Sequence, residues 1–373
     1  MNRQRFATLA SILGLVAILA LLLTTALGLQ GQSTPSSLAS SANAQSLLAS
    51  PMHLLSSSHS ASHPLVALPF VQGAQILDGS GNPLTLRGAQ IQSPFNNIAG
   101  WQRGTPVSQY LNPNVFRAMV QQYHMNELRL PISNWIYNLN PASYLSKLDL
   151  VIAQANSAGL YVVLDLHDNA QSGSPYGATV PLPKQEDLVF WKAIAAHYKS
   201  NPSLMFDLFN EPAALKDWAT WLNGGGTLDG AHLVGFQSLV NAVRAVGAKQ
   251  ILIVEAGQAG DGGVSTKGWA TIGSDTINDP NIMYSLHEYK NVTLTAQEQD
   301  AMWGPILNQH PIYYGEWAVL PNGVGLGSQA HCQGMTPANA DQITNAFLTY
   351  MTSRHANWNA WSFVPYYLIQ NVT

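Results

Sequence analysis

Only one of the 373 residues is a cysteine, Cys332, and only 10% are charged. The lone thiol excludes an internal disulfide framework and leaves no cysteine cluster for zinc. Charge is far below the roughly 25% of an average soluble chain, so Ser, Thr, Asn, Gln and Gly must cover much of the surface, which suits a polar but uncharged partner. The formal net charge is −4 and no basic block exists beyond the short N-terminal end, which argues against a nucleic-acid ligand. The metalloprotease pattern HExxH is absent: the stretch HEYKN at 287–291 lacks its second His, and the nearest alternative is Asp165, His167 and Asp168. Metal catalysis is therefore not expected. No internal repeat is visible.

What the chain has in quantity is apolar material, 46% of it, enough for a sizeable core. The first part is of a different kind. Arg3 and Arg5 precede an uncharged run from Phe6 to Leu29, the pattern of a secretory signal or of an uncleaved anchor with its N-terminus in the cytoplasm. The run is longer than the about 7–15 residues of a signal core and reaches the roughly 20 that span a bilayer. Small-residue cleavage patterns lie at Ala42–Ala44, far from the run, and at Ala26–Gly28, closer but weaker. Export to the outside of the cell is expected, secreted or anchored, with membrane contact only through residues 6–29. From Gln30 to about Pro64 the chain is rich in Ser and Ala and nearly uncharged, a composition that cannot order itself by burial. The expected organisation is a signal peptide or anchor over 1–29, a linker over 30–64, and one folded domain over 65–373.

In that domain short apolar runs alternate with helical patterns, which predicts parallel βαβ units. Candidate strands are PLTLRG (83–88), NELRLP (126–131), YVVLDL (161–166), LMFDLF (204–209), QILIVE (250–255), IMYSLH (282–287), IYYGE (312–316) and NAWSF (359–363). Eight of them in a chain of this length fit a (β/α)8 TIM barrel better than an open sheet. Asn140-Pro141 supplies a cap and a first-turn proline for a helix that Gly159 ends, with Leu145, Leu148 and Ile152 on its apolar face. Thr336-Pro337 opens another, carrying Ile343, Phe347 and Met351. FVQGAQILDGSGNPLTLRG reads as a hairpin turning at Gly79 to Asn82, a plug under the barrel floor. Only about ten residues follow the last strand, short for a closing helix.

Chemistry in such barrels gathers at the C-terminal strand ends. There the sequence places Arg129, Asp165 with His167, Asn210-Glu211-Pro212, His287 with Tyr289, Glu316-Trp317, and Trp361. Two glutamates, Glu211 and Glu316, thus share one mouth. Paired carboxylates are the apparatus of glycoside hydrolysis: one stays protonated to release the leaving oxygen, the other ionised to attack the sugar. Arg129 and Tyr289 are the candidates to keep Glu316 ionised, and Asn210 could bond a sugar 2-hydroxyl. Glu288, between His287 and Tyr289, alternates to the other side of its strand and is expected to be structural. Arg129 has a plainer reading as a salt bridge to Asp165. His167 and His287 could each serve only to satisfy backbone groups.

The ordered set Arg129, His167, Asn210-Glu211-Pro212, His287-x-Tyr289, Glu316 and Trp361, with Leu86-Arg87-Gly88 at the first strand, resembles glycoside hydrolase family 5, the cellulase family of clan A. The resemblance runs from about Gln72 to the C-terminus. It implies that Glu211 is the acid/base and Glu316 the nucleophile of a retaining enzyme, with carboxylates about 5–5.5 Å apart. It further implies that Asn210 binds the 2-hydroxyl, Arg129 and Tyr289 steady Glu316, His167 and His287 line the central subsite, and Trp361 is the floor beneath the sugar. No metal or organic cofactor is implied. The expected partner is a β-linked polysaccharide or oligosaccharide, foremost a β-1,4-glucan, met by a monomer. A β-mannanase or another β-glucanase is the alternative within the family, and a non-catalytic glycan-binding protein on the same barrel the alternative outside it.

The chain has ten tryptophans. Trp101, Trp135, Trp218, Trp221, Trp269 and Trp317 fall in or near predicted loops at the mouth, Trp317 being the one outer candidate for a sugar platform; Trp191 reads as core. Asn291 and Asn371 head glycosylation patterns.

Overall fold

The computed structural model describes residues 67–96, 110–168, 182–213, 215–228, 230–258, 264–289, 291–319, 335–336 and 338–363. The apolar run Phe6–Leu29, the linker, Trp101, Cys332, Asn371, most of the loops around 97–109 and 169–181, and the tail after Phe363 lie outside those residues. Among the described residues no helix is long and apolar enough to cross a membrane.

The folded part opens with a small antiparallel sheet, β1 (Phe70–Gln72), β2 (Gln75–Leu77) and β3 (Pro83–Leu84). The turn between β2 and β3 is fastened by Asp78, whose Oδ1 accepts the backbone N–H groups of Ser80 at 2.8 Å and Asn82 at 2.9 Å. The predicted first strand PLTLRG therefore divides in two. Pro83–Leu84 completes this sheet, while Arg87–Gln90 is the first barrel strand, β4. Between them Leu86, fully buried, turns under the barrel and gives its N–H to Asn357 Oδ1 at 2.8 Å.

Eight parallel strands close into a barrel: β4, β5 (Glu127–Ser133), β6 (Tyr161–Asp168), β7 (Leu204–Asp207), β10 (Leu252–Gln258), β11 (Ile282–Glu288), β12 (Ile312–Trp317) and β13 (Asn357–Ala360), with β13 pairing back to β4. Two further strands, β8 (Gly224–Leu228) and β9 (Ala231–Val234), form a hairpin after β7. Gly224, Gly225 and Gly226 all take positive φ there, a backbone that glycine adopts without strain.

The outer helices are α1 (Pro113–Gln121), α2 (Asn134–Leu139), α3 (Pro141–Ala158), α4 (Gln185–Tyr198), α5 (Trp218–Asn223), α6 (Phe236–Ala245), α7 (Ala296–Trp303) and α8 (Ala340–Ser353). Helix α3 is built as its sequence predicts: Asn140 Oδ1 accepts from the Ser143 N–H, and Gly159 closes the helix at φ +97° with its N–H on Ala155 and Asn156. Its buried face is Tyr144, Leu148, Val151, Ile152 and Ala155, and truncating Leu148 to Ala would cost roughly 2–5 kcal/mol. Helix α8 begins at Ala340, three residues later than Thr336-Pro337 suggests, because Asn339 Oδ1 is spent on the Thr336 N–H at 2.7 Å in a turn ahead of the helix.

The barrel interior has two storeys, set by the two-residue period of strands. The lower one is apolar: Ile76 from the hairpin packs with Leu86, Val163, Met205, Ile251, Ile253, Met283 and Tyr313, so the hairpin does plug the floor. Two residues further along the same strands the inward side chains are Asp165, Asp207, Glu255 and Ser285, with Arg129 above Glu127 on β5, all buried. A polar layer thus lies directly over an oily one, at the C-terminal end of the barrel.

Candidate active site

Arg129 is the centre of that polar layer. It is completely buried, a position a cation tolerates only when its donors are matched. Nη1 donates to Glu316 Oε1 at 2.7 Å and to Gln90 Oε1. Nη2 donates to Asn210 Oδ1 at 2.9 Å and Glu255 Oε1 at 3.0 Å, and Nε and Nη2 both reach Asp207 Oδ2 at 3.1 and 3.0 Å. Asp165 Oδ1 lies 3.1 Å from Nη2, so the anticipated Arg129–Asp165 pair exists as one contact among several. Burial alone would push the guanidinium down, but Asp165, Asp207, Glu316 and Glu255 together hold it well above its ordinary value.

Glu316 reaches this network through a break in strand geometry. In the pairing of β11 with β12, Leu286 is opposite Tyr314 but His287 is opposite Glu316, so Gly315 is an extra residue. Without that bulge, alternation would send Glu316 outward with Tyr314. Gly315 itself faces the interior, where a Cβ would come within 2.6 Å of Ser285 Oγ and 2.9 Å of His287 Nε2; only glycine leaves room for the imidazole. Glu316, 3% exposed, accepts from Arg129 on Oε1 and from the Tyr289 hydroxyl on Oε2 at 2.6 Å. Burial raises its pKa above the ordinary 4.5, opposed by the charges of His287, Arg129 and His167.

Glu211 approaches from the end of β7. Its side chain is the open one of the pair, 31% exposed, and its backbone sits in the left-handed region at φ +46°, a conformation that costs a non-glycine residue about 1–3 kcal/mol and clusters at functional sites. Its N–H is held by Glu255 Oε2 at 2.8 Å, and its Oε1 is 2.9 Å from His287 Nδ1. His287 also lies 3.0 Å from Glu255 Oε1 through Nε2 and 3.6 Å from Glu316 Oε2 through Nδ1. Desolvation would lower this imidazole, but Glu255, Glu316 and Glu211 hold it well above its ordinary value. An oxygen of Glu211, an oxygen of Glu316 and a ring nitrogen of His287 come within 4.8 Å of one another.

His167 and Trp361 form the opposite rim. His167 Nδ1 is 2.6 Å from Asp165 Oδ2 and 3.9 Å from Glu316 Oε1. Burial would lower it, but Asp165, assisted by Glu316, raises it. The Trp361 ring, just past the end of β13, stacks beside His167 with centroids 5.9 Å apart and planes 15° from parallel. All eight residues singled out from sequence thus converge on one mouth. Glu288, by contrast, faces the outer layer, buried, and desolvation pushes it up to about 8.

The tryptophans need correction. Trp218, Trp221 and Trp269 are buried and pack on one another, Trp218 stacked on Trp269 at 5.1 Å and Trp221 edge-on to both. Trp317 points outward to Phe347 and Trp358, because the bulge that turns Glu316 inward turns its neighbour out. None of these four is a platform at the mouth, and Trp135 lies half-buried in α2. Conversely, the polar residues named from sequence did not include Asp207, Glu255 or Gln90. Glu255 stands at the end of the candidate strand QILIVE, and that position was the available signal.

The family model for cellulase (glycosyl hydrolase family 5) matches residues 77–366. Among curated relatives, an endoglucanase of Paenibacillus polymyxa is 26% identical over 250 residues, covering 58% of this chain and 59% of the relative. A cellulase/esterase, CelE, of Acetivibrio thermocellus is 25% identical over 247 residues, covering 59% of this chain and 29% of the relative. The chain thus spans less than two thirds of the length of these relatives. Among solved structures, the beta-glucanase SdGluc5_26A of Saccharophagus degradans superposes with a TM-score of 0.62 at 23% identity, over 80% of this chain and 85% of that one. A family match over most of the folded part, on a closed parallel barrel, leaves one conclusion: the chain belongs to the cellulases of glycosyl hydrolase family 5.

Proposed function

We propose that the protein is a retaining, endo-acting glycoside hydrolase that cuts β-1,4-glucan by double displacement, with Glu316 as nucleophile and Glu211 as acid/base. The observation that carries this reading is the pair itself: two carboxylates within 4.8 Å across one mouth in unlike surroundings. Inverting enzymes need a gap of about 6.5–9.5 Å for a water between them, retaining ones only about 5–5.5 Å. Glu316 is anchored and aimed by Arg129 and Tyr289, as a nucleophile requires. Glu211 is the more exposed, as suits a group that must meet both the leaving oxygen and, later, water.

In the first step a Glu316 oxygen bonds to the anomeric carbon while the glycosidic bond breaks and the leaving oxygen takes the proton of Glu211. In the second, Glu211 removes a proton from water, the hydroxide displaces Glu316 from the sugar, and both side chains return to their starting states. Asn210, held by Arg129, would bond the 2-hydroxyl, a contact that strengthens in the transition state. Trp361 offers an aromatic face to the sugar, and His167 and His287 border the same subsite. SdGluc5_26A has also been solved with cellotetraose, which favours a β-glucan for this chain too. β-Mannan and other β-glucans remain the alternative within the family. A binding protein without catalysis would need the aromatic face but neither glutamate. The basic and then apolar N-terminus supports action outside the cell, by a secreted or anchored protein.

The test is to incubate the protein with carboxymethyl-cellulose, barley β-glucan, glucomannan and xylan and to follow new reducing ends. Release from the first two, with viscosity falling early, is the expected result. Release from glucomannan alone would move the substrate to mannan. No release from any by folded protein would favour the binding protein.

A further inference from the structure

Glu255 makes contacts that the eight residues of the mouth do not account for. It ends β10, is 1% exposed, and is shared three ways. Oε2 accepts the backbone N–H of Glu211 at 2.8 Å, while Oε1 accepts from Arg129 Nη2 at 3.0 Å and lies 3.0 Å from His287 Nε2. One oxygen therefore grips the strained backbone of Glu211. The other faces the imidazole that touches Glu211 and approaches Glu316.

We propose that Glu255 is a positioning residue of the catalytic pair, acting through two arms: it fixes the left-handed backbone of Glu211, and its charge keeps His287 an imidazolium between Glu211 and Glu316. The proposal rests on Glu211 and Glu316 being the reacting carboxylates. The groups facing His287 are Glu211 from the end of β7, Glu255 from β10 and Glu316 from β12, with uncharged Ser285 and Gly315 alongside. Those facing Glu255 are Arg129, His287 and Asp207. Asp207 is pushed well up by burial and by Glu255, and Glu255 is held low, against its burial, by His287 and Arg129. Among the carboxylates of the described residues, Glu255 alone contacts both the Glu211 backbone and the far nitrogen of His287. An imidazolium beside Glu316 lowers the cost of that buried anion before the first displacement, and beside Glu211 it lowers the cost of the anion left once the acid has given up its proton.

The two arms separate cleanly by substitution. In Glu255→Gln the amide oxygen can still accept the Glu211 N–H, but the charge is gone. A buried carboxylate with only a structural role would leave the pH profile unchanged in shape. The proposal predicts instead that His287, followed by NMR of ¹⁵N-histidine-labelled protein, stays charged across about pH 5–8 in the native chain and titrates within that window in Glu255→Gln. kcat/KM of the variant should then fall about 10- to 100-fold across the same titration, relative to its own acidic value. Glu255→Asp, which restores the charge on a shorter arm, should return His287 to the charged state and most of the native profile. A folded Glu255→Gln protein in which His287 stays charged and the profile keeps its native shape would overturn the proposal. So would a His287 that titrates in that window in both Glu255→Asp and native protein, a result available even if Glu255→Gln fails to fold. The imidazole readout does not require turnover, so it decides the role of Glu255 even if no glycan is cleaved and the assignment of Glu211 and Glu316 fails.

Discussion

Glu127 at the floor of the barrel and Glu316 at its mouth both point inward and are both buried, yet their surroundings differ in kind. Glu127 accepts from Asn359 Nδ2 at 3.0 Å and from the Tyr313 hydroxyl at 3.1 Å, beside an oily layer sealed by Ile76. Neither partner carries charge, so burial dominates and pushes Glu127 up to about 8. Glu316 has a guanidinium and a phenol bonded to it and two imidazoles at 3.6 and 3.9 Å. Burial still raises it, but against three cations. Depth of burial is the same; the cations within reach set whether a carboxylate is a neutral hydrogen-bonding group or a poised anion.

Several substitutions would break or sharpen that contrast. Glu316→Gln should lower kcat on β-glucan by about 10³-fold or more, and Glu211→Gln by a comparable factor, with sugar binding retained in both by calorimetry. Glu127→Gln, an uncharged mimic of the protonated floor residue, should leave kcat within about twofold, since it lies a storey below the reaction. If Glu127→Gln were as damaging as Glu316→Gln, the two storeys would not be functionally distinct.

The next effect is on stability. A carboxyl with a native pKa of about 8 against an ordinary 4.5 binds more protons folded than unfolded between those values. Its contribution is complete below about pH 4.5 and is lost as pH rises toward 8, on the order of a few kcal/mol. Denaturant unfolding should show the native protein losing stability over that window and Glu127→Gln losing distinctly less. Equal slopes would mean that Glu127 is charged in the folded state.

The acid limb of activity is a finer test. Because burial lifts Glu316 above 4.5, the proposed nucleophile is protonated, and activity lost, as pH falls through that raised value. The acid midpoint of kcat/KM should therefore lie above 4.5, and a midpoint below it would mean that the cations outweigh burial. Smallest of all on activity, Trp361→Ala should raise KM about tenfold, by roughly the 0.5–1.5 kcal/mol scale of a ring on an aromatic face. Trp317→Ala, which empties a site against Phe347 and Trp358, should cost about 3–5 kcal/mol of stability with KM nearly unchanged.

The contrast also explains what was legible in the sequence. The barrel and the eight residues at its mouth were readable because strand ends are marked by abrupt polar residues after apolar runs, as in FDLFNEP. Glu255 and Asp207 escaped notice because each is a single acid inside or ending an apolar run, and only three-dimensional closure reveals that they share Arg129. The orientation of Trp317 was invisible for another reason: it depends on the Gly315 bulge, and a register shift leaves no trace in residue type. The buried group of Trp218, Trp221 and Trp269 resembles a set of loop platforms until the short helix α5 folds two of them inward. FDLFNEP is a strand that ends at the rim, where Glu211 is held in a strained backbone facing Glu316.

The most direct test of the central claim is the stereochemistry of the first product. Proton NMR of a cello-oligosaccharide digest, recorded before mutarotation, should show the β-anomer of the new reducing end appearing first, as two displacements at one carbon require. The α-anomer appearing first would contradict the account, because it would mean a single displacement by water and no bond to Glu316.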